Sequence, residues 1–400
     1  MTEQRIYLDN AATTPPDSRV LERMRECDAC SHANPSSLHR EGCAARAILE
    51  ESTAEMAHAL NVRPHEVVWT SGGTESNMLA ILGVIYAWRE RNPAEVPHIV
   101  TTAIEHHSVL EVVRMLEEKG DVRVTYVPLG SDGLVRPETV ACALRPTTAL
   151  VSIHYAHNEL GSMQPIRAIV RAVREALKVA PNPVMIHTDA SQAPAWISCQ
   201  PHALGVDLMT LDGHKMYGPK GIGCLYRRYG VELRTPYGSS EQVRPGTPPV
   251  ALIAGCARAC ALVTREREEY APRISTLRDA CIAAVSSGVR SAVLNGPTRE
   301  KCLANTIHFS FPGLSGERLV LALDAVGVAA SSRSACLRNE TEGSVVLRAL
   351  GADAAHAVGT LRLTLSRYTT SGDMERATKL LIDTVLRLYA DVSSGQIDAL

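Results

Sequence analysis

Between about residues 65 and 230, short strand-like runs alternate with helix-like ones, and this alternation limits the fold more than any other feature of the chain. EVVWT (66–70), HIVTT (98–102), VRVTYV (122–127), ALVSIHY (149–155) and VMIHTD (184–189) are short and rich in β-branched residues, and they read as strands. After the first, an apolar run from Thr74 to about Arg91 reads as a helix. Before the last, Ile166, Ile169, Val170, Val173 and Leu177 recur at helical spacing, and Pro165 suits the first helical position. The expected fold class is therefore α/β, with a mostly parallel sheet covered by helices on both faces. DLMTL (207–211) and GIGCLYRR (221–228) add strands that bracket the loop DGHKMYGPKG (212–221).

The texture changes after about residue 255. A long charged helix (roughly 256–288) leads to NTIHFSF (305–311), a helix near 315–326 and TLRLTLS (360–366), which together suggest a smaller α+β domain. A chain of 400 residues is long for one core, so two domains are expected.

Composition removes several classes of function. The formal net charge is −2, and only 4% of residues are aromatic, with two Phe, so there is neither a basic footprint nor a stacking platform for nucleic acid. No stretch approaches the roughly 18–20 apolar residues of a membrane helix. The opening MTEQRIYLDN has no basic region followed by an apolar run, so no secretory signal is expected. The cysteines number eleven and are spread widely, which disfavours a disulfide framework and fits a reducing, cytoplasmic setting. Cys27 and Cys30 form one CxxC with His32 and Cys43 nearby, but no second half with zinc spacing follows. Partly buried thiols are the expectation there, and no metal.

Several motifs carry chemistry weakly on their own. TSGGTES (70–76) sets two glycines and small hydroxyl residues between a strand and a helix. Bare amides there, with the Thr74 hydroxyl, suit a phosphate, and they serve equally as an ordinary helix cap. IEHHSVL (104–110) follows a strand end, and its adjacent histidines read by default as a surface pair. HTDASQ (187–192) puts Asp189 at the carboxyl end of a strand, where open α/β sheets gather ligands and where Asp also forms turns. Together, a phosphate cradle, a strand-end acid and a later loop lysine suit pyridoxal phosphate. A lysine holds it as a Schiff base, and an acid keeps the pyridine nitrogen protonated.

In its ordered motifs the chain resembles the class V aminotransferase-fold enzymes, specifically cysteine desulfurases of the NifS/IscS type. The matching stretches are YLDNAATTP (7–15), NPSSLHREG (34–42), TSGGTES, EHHSVL, HNELG (157–161), HTDASQ and GHKMYGPKGIG (213–223). RPGT (244–247), SACLRNETEGSVVLRALG (334–351) and LRLTLSRYTT (361–370) complete the series across almost the whole chain. RPGT and GGTES are also close to selenocysteine lyases.

The resemblance implies pyridoxal-phosphate fold type I. Residues 15–255 would form a large cofactor-binding domain, and residues 1–14 with 256–400 a small domain carrying the sulfur-acceptor loop. Lys215 would be the Schiff-base lysine, His106 would stack on the pyridine ring, Asp189 would pair with its nitrogen and Gln192 with its phenolic oxygen. Gly73, Thr74 and His214 would hold the phosphate, and Thr247 would reach the phosphate of a second subunit in a homodimer. Asn158 and Arg362 would bind the substrate carboxylate, which a planar guanidinium matches bidentately; without the family, Arg362 reads as an ion pair on a strand. Cys336, in a segment with the character of a mobile tether, would accept sulfur from L-cysteine as a persulfide and pass it to a partner protein, releasing alanine. L-selenocysteine is the alternative substrate, and a cofactor-poor dimeric binding protein is the alternative class.

Three positions depart from the family pattern. Asp212 stands where relatives often carry a phosphate-binding serine, and an ionised acid beside a phosphate is unfavourable. Its carboxylate is expected to turn aside, toward Lys220 or an arginine, leaving its backbone amide for the phosphate. Arg333 replaces a glycine before the cysteine, and GSSEQVRPGT (238–247) is about two residues shorter than the family's glycine-rich loop.

Overall fold

The computed structural model describes residues 5–30, 32–177, 183–235, 243–332 and 343–394. Strand β1 is Ile6–Tyr7, followed by helices α1 (Ser18–Cys30) and α2 (Arg40–Leu60). Next come β2 (Val67–Thr70), α3 (Gly73–Arg91), β3 (His98–Thr102), α4 (His107–Glu118), β4 (Arg123–Val127) and β5 (Thr148–Ser152). Helix α5 (Ile166–Ala176), β6 (Met185–Asp189), β7 (Leu208–Asp212) and β8 (Gly223–Arg227) complete the alternating region. The last third holds α6 (Val250–Gly288), β9 (Val293–Leu294), β10 (Thr306–Ser310), α7 (Gly316–Ala325), β11 (Val328–Ala329), β12 (Thr360–Thr364) and α8 (Ser371–Ser393).

Seven strands form the main sheet in the order β2-β8-β7-β6-β5-β3-β4. The pairs β3–β4, β3–β5, β5–β6 and β6–β7 are parallel. Strand β8 is antiparallel to both β7 and β2, so β2 points the same way as β7 and β8 is the one reversed strand in the sheet. The mostly parallel α/β sheet expected from the alternation is thus present.

The two-residue period of the strands feeds two cores. Ile99, Leu150, Leu208 and Leu225 bury against α3 and α4 on one face. Their neighbours Val100, Val151, Met209 and Tyr226 bury on the other, with Ile169 and Val173 of α5 and Ile253 of α6. Strands β3 and β5 are buried at every position, as a parallel strand covered on both faces must be. Helix α5 presents Ile166, Ile169, Val170 and Val173 inward, with Pro165 immediately before its first turn.

Helix α6 begins at Val250, ahead of the charged stretch near residue 256 that marks it in the sequence. Its first turns carry buried Val250, Ile253 and Ala254, so they lack the polar face that reveals an amphipathic helix. A three-stranded antiparallel sheet, β12-β10-β9, lies in the last third of the chain. Strand β1 pairs in parallel with β11, and Asp9 bridges to Thr364 of β12. Residues 6–9 therefore belong with strands more than three hundred positions later.

One buried ionic cluster ties these parts together. Asp17 and Arg367 form an ion pair with both side chains 3% exposed, and the Tyr368 hydroxyl donates to Asp17 at 2.7 Å. The Arg367 guanidinium lies 4.4 Å from the centre of the Tyr217 ring, and the Tyr217 hydroxyl accepts from the Arg367 amide at 2.8 Å. Burial would raise the Asp17 pKa, but hydrogen bonds from Arg19 and Tyr368 and the charge of Arg367 outweigh it, so the carboxyl stays well below the usual carboxylate range. Asp17→Asn leaves the buried Arg367 guanidinium with only the longer Glu266 ion pair at 3.4 Å and is expected to cost on the order of 3 kcal/mol in urea unfolding near neutral pH. Because the folded pKa is depressed, this stabilisation is full above about pH 4 and declines as pH falls toward the folded value, so wild type and variant converge in acid.

Candidate active site

Since β2, β6 and β7 share one direction, their carboxyl ends open on the same side of the sheet. Strand β2 ends at Thr70 and leads through Gly72 into α3, whose first residue is Gly73. A Cβ on Gly73 would lie 3.0 Å from both Asp212 Oδ2 and Ser191 Oγ, so a larger residue would push those side chains away from the helix end. A Cβ on Gly223, opposite Asp212 in the β7–β8 ladder, would strike the Gly72 backbone at 2.7 Å. Glycine is required at 223 by close approach of backbone, and favoured at 73 by close approach of side chains.

Strand β6 ends at Asp189, which is buried. Its Oδ1 accepts from the Ser191 amide (2.9 Å) and hydroxyl (2.6 Å), and its Oδ2 accepts from Asn77 Nδ2 (2.8 Å). Asn77 sits one turn into α3 and also donates to Ser108 Oγ at 2.8 Å, while its own Oδ1 is buried with no partner among the described residues. His106 caps α4, with Nδ1 2.7 Å from Ser108 Oγ.

Strand β7 ends at Asp212, and a short 3-10 turn, Gly213–Lys215, follows. Lys215 Nζ donates to the carbonyls of Ala11 (2.6 Å) and Ala12 (2.7 Å), and Gln192 Nε2 donates to the same Ala11 carbonyl at 2.9 Å. His214 Nδ1 lies 3.0 Å from Thr13 Oγ1. Across the cavity, Arg362 of β12 is 1% exposed; it donates to Asp9 Oδ1 (2.7 Å) and to the Asn158 carbonyl (3.0 Å). Its Nε has no hydrogen-bond partner among the described residues.

Electrostatics concentrates positive charge in few places. Burial, then the nearby His154, keeps His157 well below its ordinary pKa, and burial followed by the Arg362 charge takes His308 down to about 3. Both rings are neutral at physiological pH, which leaves Arg362 as the cation of its wall.

One cavity of about 230 Å³ is lined by Gly73, Thr74, His106, Asn158, Asp189, Gln192, Asp212, His214, Lys215 and Arg362. The structure thus brings together ten of the residues singled out in the sequence. Thr247 is exposed and does not line it. Cys336 and Arg333 lie outside the described residues, as do residues 238–242 of the shortened loop.

Asp212 departs from expectation. Its carboxylate does not turn toward Lys220, which is exposed; Oδ2 accepts from the Gly73 amide at 2.8 Å, and Oδ1 lies 3.4 Å from His214 Nε2. The bare N–H at the start of α3 is the nearest strong donor to a side chain leaving the end of β7, and it captures the carboxylate.

Sequence reasoning missed Asn77, Ser108, Ser191 and Asp9. A lone Asn in the apolar run NMLAILGVIYAW was a usable signal for the first. Asp9 lies within a quoted motif, yet nothing local shows that it meets Arg362. The donor set fits pyridoxal phosphate: a lysine amine, a fixed carboxylate, an unpartnered amide oxygen and the Thr74 hydroxyl beside the start of α3 line one cavity.

Comparisons with known proteins agree with this geometry. The Aminotransferase class-V family matches residues 6–377. The Cysteine desulfurase IscS of Dictyoglomus turgidum is 39% identical over 93% of this chain and 92% of its own length. The IscS-like cysteine desulfurase of Mycobacterium tuberculosis is 37% identical, covering 95% and 96%. A solved NifS-like protein superposes with TM-score 0.87 at 33% identity, over 96% of this chain and all of its own. A structure of SspA in complex with cysteine superposes with TM-score 0.76 at 30% identity, over 91% of this chain and all of its own. With the motif order, the strand-end site and near full-length similarity in agreement, this chain belongs to the class V aminotransferase family, among the NifS/IscS-like cysteine desulfurases.

Proposed function

We propose that this chain removes sulfur from L-cysteine, releasing L-alanine and leaving a persulfide on Cys336 for transfer to an acceptor protein. The observation that carries this reading is the cavity on which the Lys215 amine, the Asp189 carboxylate and the buried Arg362 guanidinium converge. Pyridoxal phosphate, when bound, supplies an electron sink for negative charge at the substrate Cα.

The chain's own residues do the remaining work. Arg362 binds the substrate carboxylate, and Asp9 holds its guanidinium in the orientation this requires. The Asn158 side chain belongs to the same subsite. Asp189, immobilised by Ser191 and Asn77, holds a proton at the ring nitrogen, and His106 packs on the ring face. Gln192 serves the ring's phenolic oxygen; Gly73, Thr74 and His214 serve the phosphate.

Lys215 Nζ is held by two carbonyls, and as a free amine it takes the Cα proton. The Cys336 thiolate then attacks the substrate sulfur. A sulfur–sulfur bond forms as the Cβ–S bond breaks, and the electron pair stays with Cβ, which is protonated to become the methyl group of alanine, while Lys215 returns a proton to Cα. Thr247, exposed, belongs in this reading to the contact with a second subunit of a homodimer. Among the described residues no helix is long and apolar enough to cross a membrane, and a reducing compartment such as the cytoplasm suits a nucleophilic thiol.

Cys336→Ala is expected to lower alanine formation from L-cysteine by at least about 100-fold while leaving the visible band of the bound cofactor in place. Normal turnover by that variant would remove Cys336 as the acceptor. Asp9→Asn is expected to raise KM for cysteine about tenfold with little change in kcat, because Arg362 then loses its orienting charge without leaving the site. Steady-state kinetics with the holoenzyme measures both.

A further inference from the structure

The Asp212 carboxylate occupies the place where the functional reading needs room for phosphate. Its Oδ2 takes the Gly73 amide proton at 2.8 Å, and that amide opens α3. No Cβ stands between them. Asp212 is 8% exposed, so solvent does little to screen it. One N–H cannot serve two anionic acceptors well, and an ionised carboxylate beside a phosphate dianion is repulsive at these distances.

The groups around Asp212 do not remove this conflict. On its own loop stand His214 and Lys215, and Lys215 is already engaged by the Ala11 and Ala12 carbonyls. From α3 comes Glu75, whose carboxylate is satisfied by Arg244 at 3.0 Å. From the end of β6 come Ser191 and Asp189, which are bonded to each other. From α6 comes Cys256, whose thiol is pushed well above its ordinary pKa by burial and is uncharged. The N-terminal loop offers Thr13 to His214.

Resting on the reading above, we propose that Asp212 is a resident anion in the phosphate cradle, and that the cofactor's phosphate is admitted together with one proton. That proton neutralises Asp212 and turns it from a competitor of the phosphate into a hydrogen-bond donor to it. Before the phosphate arrives the carboxyl is ionised. Burial favours the neutral acid, but the hydrogen bond and charge of His214, the Gly73 amide and the Lys215 charge outweigh it and lower its pKa. Loading therefore takes up a proton at neutral pH and above, and the apparent affinity falls as pH rises.

Cofactor-free wild type, Asp212→Asn and Asp212→Ser are titrated with pyridoxal phosphate, following the visible band, between about pH 7 and about pH 9, above the second phosphate pKa. Asparagine keeps an oxygen acceptor for the Gly73 amide and removes the charge. The wild-type Kd is expected to rise, relative to Asp212→Asn, by about tenfold for each pH unit. Calorimetry in two buffers of different ionisation enthalpy is expected to count about one more proton taken up by wild type than by either variant. Pyridoxal lacking the phosphate, titrated into wild type, is expected to lack the extra proton, and this comparison needs no substitution. Parallel Kd–pH curves, or equal proton counts with and without phosphate, would overturn the proposal and leave the desulfurase reading intact. Absence of a visible band in every variant would overturn both.

Discussion

The buried pairing of Asp17 with Arg367 governs the geometry on which the site depends. Two opposite charges taken out of water tolerate little displacement, because their remaining partners, Arg19 for Asp17 and Glu266 for Arg367, are more exposed and offset less of the desolvation cost. Arg367 also covers the Tyr217 ring, and Tyr217 follows Lys215 by two positions, with a left-handed φ of 63° that is unusual for a bulky residue. Thr14 closes the arrangement, since its hydroxyl donates to the His214 carbonyl and accepts from the Tyr217 amide. The lysine turn is thereby clamped from the N-terminal stretch on one side and the segment after β12 on the other.

A second constraint is the direction of the sheet. With β2, β6 and β7 aligned, three polar termini meet at one edge, and the site follows from where those strands stop. Acid and base then separate by environment. Asp189 accepts hydrogen bonds from Ser191 and Asn77, whereas His157 and His308 lie where burial and neighbouring groups keep them neutral. Arg362 gains contrast from those uncharged neighbours, and Asp9 balances it directly.

Much of this was legible in the sequence, for identifiable reasons. Strands such as HIVTT are buried on both faces, and their β-branched composition reveals them without reference to any partner. Asp189, Lys215 and the Gly72–Gly73 pair sit at element boundaries, where local pattern is most informative. Contacts between distant segments were not legible. Asn77 supports Asp189 across 112 positions and Asp9 meets Arg362 across 353, and no local signal reports either. Asp212 was misread for a related reason. Its direction depends on β2 lying two strands away from β7, a fact of strand order and not of composition. The start of α6 was placed late because its first turns are apolar and buried.

The carbonyls of Ala11 and Ala12 that grip Lys215 belong to a stretch held by β11 and β12. During synthesis that stretch leaves the ribosome long before Val328, Arg362 and Thr364, which position it and lie more than three hundred residues later. The alternating strands and helices have local partners and can order as they emerge, but the first dozen residues must wait for nearly the whole chain. Assembly of the lysine pocket is therefore a late event, and a nascent chain stalled before β12 would carry the main sheet without the contacts that position residues 6–12.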